Sequence, residues 1–233
     1  MEAKKNDEKM IETMFGAGAH FGLGRSRRHP TVSPFIFSTK NKTDIFDLEK
    51  TQVMLEKTLG FVSGLAKEDK TILFVGSKKE AITSIQSGAQ SISMPYVNSR
   101  FIGGTLTNFG QIRKRIELFE RLVSDREKGE LAKYTKHERL LIDKDITALE
   151  HMFGGIVSLK KLPAGLFIVD PRREKNAVKE ASDLGIPVIA LASSDCDISD
   201  IDYVVLGNDA SRDSIRWFVE QIVQAYRSGK VLS

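Results

Sequence analysis

Apolar residues along the chain follow two different patterns. In the first, short unbroken runs sit between charged stretches: Thr71-Ile-Leu-Phe-Val-Gly76, Gly165-Leu-Phe-Ile-Val-Asp170, Val188-Ile-Ala-Leu-Ala192 and Asp202-Tyr-Val-Val-Leu206. Runs without alternation mark strands buried on both faces. Helix-compatible stretches follow two of them, from Ser77 to about Ser91 and from Arg172 to Asp183. Strand, helix and strand in repetition predict a parallel sheet with right-handed crossovers. A last amphipathic helix is expected over Ser211 to Arg227, with Ile215, Phe218, Val219, Ile222 and Val223 on one face. The expected fold class is α/β, a mainly parallel sheet flanked by helices in Rossmann- or flavodoxin-like layering.

The second pattern lies between the first two strands. Phe109, Ile112, Ile116, Phe119 and Val123 are spaced 3, 4, 3, 4, and Ile142, Ile146, Leu149 and Phe153 are spaced 4, 3, 4. These are heptad intervals, each giving a narrow apolar seam. Gly129 is placed to end the first helix, Thr135-Lys-His-Glu138 has the form of a capping box for the second, and Gly154-Gly155 ends it. The expectation is an antiparallel coiled-coil hairpin over residues 107–154, inserted into an α/β domain made of residues 1–106 and 155–233, with arms roughly 25 to 30 Å long. Two crossover helices lying on the sheet are the alternative.

Composition narrows the class of protein. Of 233 residues 41% are apolar, and Gly and Pro together make about a tenth of the chain, so collagen-like and wholly disordered readings are excluded. The longest apolar stretches, such as Ile186 to Ala192, fall far short of the roughly 20 residues a membrane span needs. No secretory or transit-peptide pattern is expected in the mixed-charge start Met1-Glu-Ala-Lys-Lys-Asn-Asp-Glu-Lys, and a single cysteine, Cys196, fits a reducing compartment, so the cytoplasm is the expected location.

Charge is sorted along the chain more than its net of +4 suggests. His20 to Lys42 carries Arg25, Arg27, Arg28, Lys40 and Lys42 without an acid, whereas Ser193 to Asp213 holds six Asp and one Arg. The first segment, interrupted by Pro30 and Pro34, reads as an irregular, mobile arm that attracts phosphate. The second could hold Mg2+ between Asp195 and Asp202 through one or two carboxylates and water.

Catalytic motifs are incomplete. Val75-Gly76-Ser77-Lys78-Lys79-Glu80 has the strand, turn and helix start of a phosphate site but lacks the further glycines of the phosphate-cradling and dinucleotide loops. Ile102-Gly103-Gly104-Thr105 supplies a glycine pair with no lysine after it. His20, His29, His137 and His151 have no metal-ligand spacing with Cys196, and carboxylates around that thiol oppose its ionisation. Basic side chains remain: Arg25, Arg27 and Arg28, Arg100 beside the glycine pair, Arg113, Lys114 and Arg115 on the first hairpin helix, Lys160-Lys161, and Arg172 with Arg173. Guanidinium groups bridge phosphates bidentately, and glycine turns let backbone N–H groups approach an RNA strand. Binding therefore stands ahead of catalysis. The competing readings are a small-molecule enzyme or nucleotide sensor at the Gly76 turn or the acidic loop, and a scaffold whose hairpin binds protein.

Ala19-His-Phe-Gly22, Pro30 to Pro34 with Phe35-Ile-Phe37, Ile45-Phe-Asp-Leu-Glu-Lys-Thr51, Leu73-Phe-Val-Gly76, Met94-Pro-Tyr-Val-Asn98 and Gly103-Gly-Thr-Leu-Thr-Asn-Phe109 look like the family of the second protein of the bacterial small ribosomal subunit. So do Asp170-Pro-Arg-Arg-Glu174, Leu184-Gly-Ile-Pro-Val188, Gly207-Asn-Asp209 and Ser214-Ile-Arg216, and the resemblance runs from about Phe15 to Arg227. It implies a structural protein without catalytic activity or cofactor. It also implies docking on small-subunit ribosomal RNA on the solvent side where head meets body, late in assembly, and recruitment of the large first small-subunit protein, which delivers messenger RNA. Arg25, Arg27, Arg28, Arg100, Arg113, Arg115, Arg172 and Arg173 are the expected phosphate contacts. Leu23, Arg28 and His29 stand where the family usually has His, Trp and Asn, Phe101 replaces another aromatic, and Asp195 replaces a common Asn.

Overall fold

The computed structural model describes residues 2–231. Five strands form the main sheet: β4 (Ile72–Val75), β5 (Tyr96–Val97), β6 (Gly165–Val169), β7 (Val188–Ala192) and β8 (Tyr203–Leu206). All pair in parallel, in the order β5-β4-β6-β7-β8. Four of the five lie inside the unbroken apolar runs, and the pleat explains why those runs do not alternate. Ile72, Phe74, Phe167, Val169, Ile189 and Leu191 enter one core, while Leu73, Val75, Leu166, Ile168, Val188 and Ala190 enter the other. Each strand needs apolar residues at every position because it has a core on each side.

Helices close both faces. α1 (Glu2–Gly16), α2 (Leu48–Lys67), α3 (Ile82–Ser91) and α7 (Arg212–Val231) cover the first core, with Leu55, Val62, Ile85, Phe218, Ile222 and Tyr226 buried in it. α6 (Lys175–Asp183), α4 (Phe109–Glu127) and α5 (Lys136–Phe153) supply the second through Ala177, Ala181, Ile112, Ile116, Leu149 and Phe153. β4 is followed by a helix on one face and β6 by a helix on the other, so the winding reverses between these two neighbours. That reversal is a topological switch point, and it opens a crevice outside the carboxyl ends of β4 and β6.

α4 and α5 run antiparallel: Ile112 and Ile116 near the start of α4 cluster with Leu149 and Phe153 near the end of α5. Arg126 at the far end of α4 lies 4.0 Å from Asp143. Gly129 adopts φ 72 after α4, and Thr135 with Glu138 forms the expected capping box, the Thr135 N–H donating to the Glu138 carboxylate at 2.8 Å. The root of this pair is tight. Gly155, in the short 3-10 turn Gly154–Ile156, lies so close to β5 that a Cβ there would sit 2.2 Å from the Tyr96 carbonyl oxygen.

The basic segment is folded, contrary to the irregular, mobile arm expected. β1 (Phe21–Gly24), β2 (Ile36–Lys40) and β3 (Thr43–Phe46) make an antiparallel sheet ordered β1-β3-β2, with 3-10 turns at Arg25–Arg27 and Pro30–Phe35. A two-residue turn joins β2 to β3, with Asn41 at φ 51 and Lys42 at φ 65, the left-handed pair that matches strand twist. The segment is tethered to the main sheet by the His29 N–H on the Ser194 carbonyl at 2.8 Å and the Leu23 N–H on Ser194 Oγ at 2.9 Å. Val32 and Phe46 pack against Ala192, Cys196 and Leu206. The elements α1, α2 and β1 to β3 have no counterpart among the expected ones. The helix expected from Arg172 starts at Lys175, because Asp170, at φ 65, and Pro171 first make a turn.

Gly155→Ala should destabilise the protein by about 1 to 3 kcal/mol, the usual cost of overpacking where backbone blocks relief. A urea titration measures it; a free-energy loss below a tenth of that range would show that the root can give way.

Candidate nucleic-acid interface

The basic residues divide into those whose charge is used inside the chain and those whose charge is not. The small antiparallel sheet holds one group of the second kind. Arg25 and Arg27 lie on the 3-10 turn after β1, and the Arg25 N–H donates to the Lys42 carbonyl at 2.8 Å, which sets that turn against the β2–β3 hairpin. Lys40 precedes the hairpin turn, Lys42 is its second residue, and all four residues are largely open to solvent. None of the four makes a side-chain hydrogen bond or ion pair among the described residues. Four cations at one end of the small sheet, without a bond inside the chain, are the kind of charge that phosphate groups attract.

Arg28 does a different job. Its Nε donates to Asp44 Oδ2 at 2.7 Å, its Nη2 bonds the other oxygen of the same carboxylate, and Nη2 also reaches Thr39 Oγ1 at 2.8 Å. Asp44 is 0% exposed and also accepts from Thr39 Oγ1 at 2.9 Å. The Arg28 hydrogen bond holds the Asp44 carboxyl below the usual carboxylate range against the opposing effect of burial, and Asp44 holds Arg28 above its ordinary value. The fork of Arg28 thus closes the sheet from inside.

At the switch-point crevice the turns that resemble phosphate sites are filled by the chain's own carboxylates. The Ser77 N–H donates to Glu174 Oε1 at 3.0 Å and the Ser77 hydroxyl bonds the same oxygen. Glu180, on α6, accepts the N–H groups of Gly104 at 2.6 Å, Leu106 at 2.9 Å and Thr107 at 3.2 Å. The glycine turn therefore offers these N–H groups to α6 and not to an RNA strand. Lys78 Nζ lies 3.2 Å from Asp170 Oδ2 and 3.1 Å from Asp209 Oδ2, where a phosphate-binding lysine would be free. Burial pushes Asp209 up to about 6 while Lys78 pulls the other way, and Asp209 Oδ1 has no hydrogen-bond partner among the described residues. Burial also disfavours the Lys78 charge, but Asp209 and Asp170 outweigh it and raise the amine above its ordinary value.

Two arginines nevertheless line this crevice. Arg100 and Arg173 line a cleft of about 530 Å3 with Ser77, Asn98, His151 and Asn176. Arg173 Nε donates to Ser77 Oγ at 3.0 Å, and its backbone N–H donates to Asp170 Oδ1 at 3.1 Å. The other expected contacts are dispersed. Arg113 reaches the Val157 carbonyl at 3.2 Å and pairs with Glu120 and Glu117, so it ties α4 to the segment after α5. Arg115 is exposed on α4 without a partner among the described residues. Arg172 pairs with Asp195 at 2.5 Å, which raises its already high pKa.

Carboxylates of the acidic loop are directed to separate partners: Asp195 to Arg172, Asp197 to the Ser199 N–H and hydroxyl, and Asp202 to the Val188 N–H. Among the described residues no three His, Cys, Asp or Glu side chains converge as a metal centre. Cys196 is fully buried and its thiol is pushed up to about 12, chiefly by burial, so it stays protonated. His20, stacked on Phe15 and tilted against Phe21 with centroids at 4.3 and 4.0 Å, is held below its ordinary pKa by desolvation. Neither presents an activated nucleophile or base. The positions the charge pattern does not single out are the internal acids Asp44, Glu174 and Glu180. The only sequence signal for the first two is position: Asp44 lies opposite Thr39 in a hairpin register, and Glu174 follows Arg173 at a helix start.

Comparison with known proteins is consistent along nearly the whole chain. Residues 14–229 match the model of the family described as Ribosomal protein S2. The chain is 41% identical over 219 residues to "Small ribosomal subunit protein uS2" of Geotalea uraniireducens (strain Rf4), covering 94% of this chain and 86% of that protein. It is 42% identical over 222 residues to the protein of the same name from a Nitratiruptor species, covering 95% and 83%. With that of Chloroflexus aurantiacus it shares 37% over 219 residues, covering 94% and 92%.

Arg28→Ala leaves a buried carboxylate without its counter-charge and should cost about 3 to 5 kcal/mol, whereas Arg28→Met with Asp44→Leu should recover most of that loss. Because the folded Asp44 pKa is depressed, its contribution is present above the unfolded value of about 3.9 and is lost as pH falls from there through the folded value. Urea melts of the three proteins at pH 7 and pH 3 test both statements. Glu180→Ala removes the acceptor of three N–H groups, so amide exchange at Gly104, Leu106 and Thr107 should accelerate at least about tenfold; unchanged protection would assign the turn's order to other contacts.

Proposed function

The chain belongs to the ribosomal protein S2 family, and on that premise we propose that it is a structural, non-catalytic constituent of the small ribosomal subunit that binds ribosomal RNA in the cytoplasmic ribosome. The observation that carries the reading is the family match from residue 14 to residue 229, which includes the sheet, the helical pair and the basic segment together. The filled crevice supports it physically: Glu174, Glu180, Asp170 and Asp209 occupy the donors that a nucleotide enzyme would aim at phosphate.

RNA is held first through Arg25, Arg27, Lys40 and Lys42, with Arg100, Arg115 and Arg173 as further contacts. Arg28 acts as the internal brace of that surface, while Arg113 and Arg172 act within the chain. Contacts of this kind position the protein by backbone and shape, with little base readout. The protein docks on the solvent side where head meets body, and from there it supports recruitment of the large first protein of the small subunit.

Sucrose-gradient sedimentation of the tagged chain, under conditions that separate the subunits, should show it with the small subunit at low salt and lost at high salt. A chain that stays at the top of both gradients would overturn the reading. In binding to purified small-subunit RNA, Ala at Arg25, Arg27, Lys40 and Lys42 together should flatten the slope of log affinity against log salt by about 3 to 3.5, at roughly 0.7 to 0.9 per phosphate. The same slope with and without the four cations would remove the basic sheet from the interface.

A further inference from the structure

The cleft between Arg100 and Arg173 differs from the rest of the switch-point crevice. It lies where the carboxyl ends of β4, β5 and β6 meet the root of the helical pair: Ser77 follows β4, Asn98, Ser99 and Arg100 follow β5, Arg173, Glu174 and Asn176 follow β6, and His151 comes from α5. At about 530 Å3 it falls within the range of small-ligand sites and is large enough for one nucleotide. Around it the neighbouring anion-binding turns are filled by Glu174 and Glu180, so the charge facing this space comes from side chains. Arg100 is exposed and makes no hydrogen bond or ion pair among the described residues. Arg173 is fixed by its Nε on Ser77 Oγ, which leaves both Nη groups for a ligand. The single carboxylate in the lining, Glu174, is 4% exposed and already accepts from Ser77. Two guanidinium groups thus outweigh one partly satisfied acid.

The remaining lining suits a base more than a peptide. Asn98 gives its amide to Gln86 Oε1 at 3.0 Å and its carbonyl oxygen makes no hydrogen bond among the described residues, while Asn176 is exposed and Ile82 supplies an apolar wall. Hydrogen-bonding edges beside an apolar surface are what a splayed-out base uses, and unstacked residues of loops and bulges are the parts of RNA that proteins hold individually. We propose that this cleft receives one unstacked nucleotide of the RNA strand, its phosphate bridged by Arg100 and Arg173 and its base lodged against Asn98, Asn176 and Ile82. The inference rests on the RNA-binding reading above and adds to it a defined pocket. Because one wall belongs to the sheet and another to α5, an occupant bridges the sheet and the helical pair.

The test uses the full chain and purified small-subunit RNA. Arg100→Glu, at an exposed and unpaired position, and Arg173→Lys, which keeps one charge and the fold, should each weaken RNA binding at least about fivefold, the loss of roughly one charge-assisted phosphate contact. Arg100→Ala should lower the salt slope by roughly 0.7 to 0.9, one phosphate. A photoreactive group on Ser99→Cys should crosslink to one RNA position. In a parallel arm, AMP, GMP, CMP and UMP are titrated against the chain. RNA binding unchanged in all variants, or crosslinks scattered over many positions, overturns the pocket while leaving the RNA-binding reading intact. Tight mononucleotide binding that Arg100→Glu abolishes, with RNA binding unaffected, assigns the cleft to a free nucleotide and overturns the RNA version. Failure of the unmodified chain to bind the RNA at all overturns both readings together.

Discussion

Backbone N–H groups that leave water must find an acceptor, and in this protein the short helix α6 supplies it at two decisive turns. Glu174 at its start takes the N–H of Ser77 beyond β4, and Glu180 in its last turns takes three N–H groups of the loop that launches α4. One nine-residue helix therefore fixes the open end of the sheet and the departure of the helical pair. An α/β sheet wound this way presents a crevice suited to phosphates. Here the chain's own carboxylates take most of the donors at that crevice, which works as an internal joint.

The same division explains how the charges are used. A cation can be a structural member or a contact, and the difference lies in whether an acid from the same chain reaches it. Arg28 and Lys78 are met by Asp44 and Asp209, carboxylates shut away from water. Arg25, Arg27, Lys40 and Lys42 make no hydrogen bond or ion pair with an acid among the described residues, and they sit at the turns of a small sheet whose own geometry Arg28 secures. Rigid placement of unpaired charge lowers the ordering cost of binding a polyanion, since the side chains leave from a backbone already in place.

Much of the architecture was legible in the pattern of residues, and the limits have physical causes. Strands buried on both faces announce themselves as apolar runs, so β4, β6, β7 and β8 could be placed closely; β5, with two residues, was too short to register. Heptad spacing, Gly129 and the Thr135 capping box marked α4 and α5 because these are local signals. The small antiparallel sheet looks irregular in the sequence because its stability is nonlocal. Ile36 to Lys40 is mostly exposed and carries no clean alternation, and its order comes from Arg28 on Asp44 and from Ser194, far along the chain. Among the candidate contacts, residue type identified the arginines, but nothing in the sequence separates Arg172, neutralised by Asp195, from Arg173 beside it in the cleft. Which neighbour an acid chooses is decided by the fold.

Burial of the lone thiol has a practical side. Cys196 lies beneath the small sheet with Val32, Phe46, Ala192 and Leu206, and it stays protonated far above neutral pH. Maleimides and iodoacetamides react with exposed thiolates, so the folded chain is already a blank background for them. A cysteine introduced on α5, on the β2–β3 turn or at the cleft would carry a dye, a spin label or a tether at one site, with no need to remove the native residue. Labelling of Cys196 itself would then report a different event: exposure of the seam between the two sheets.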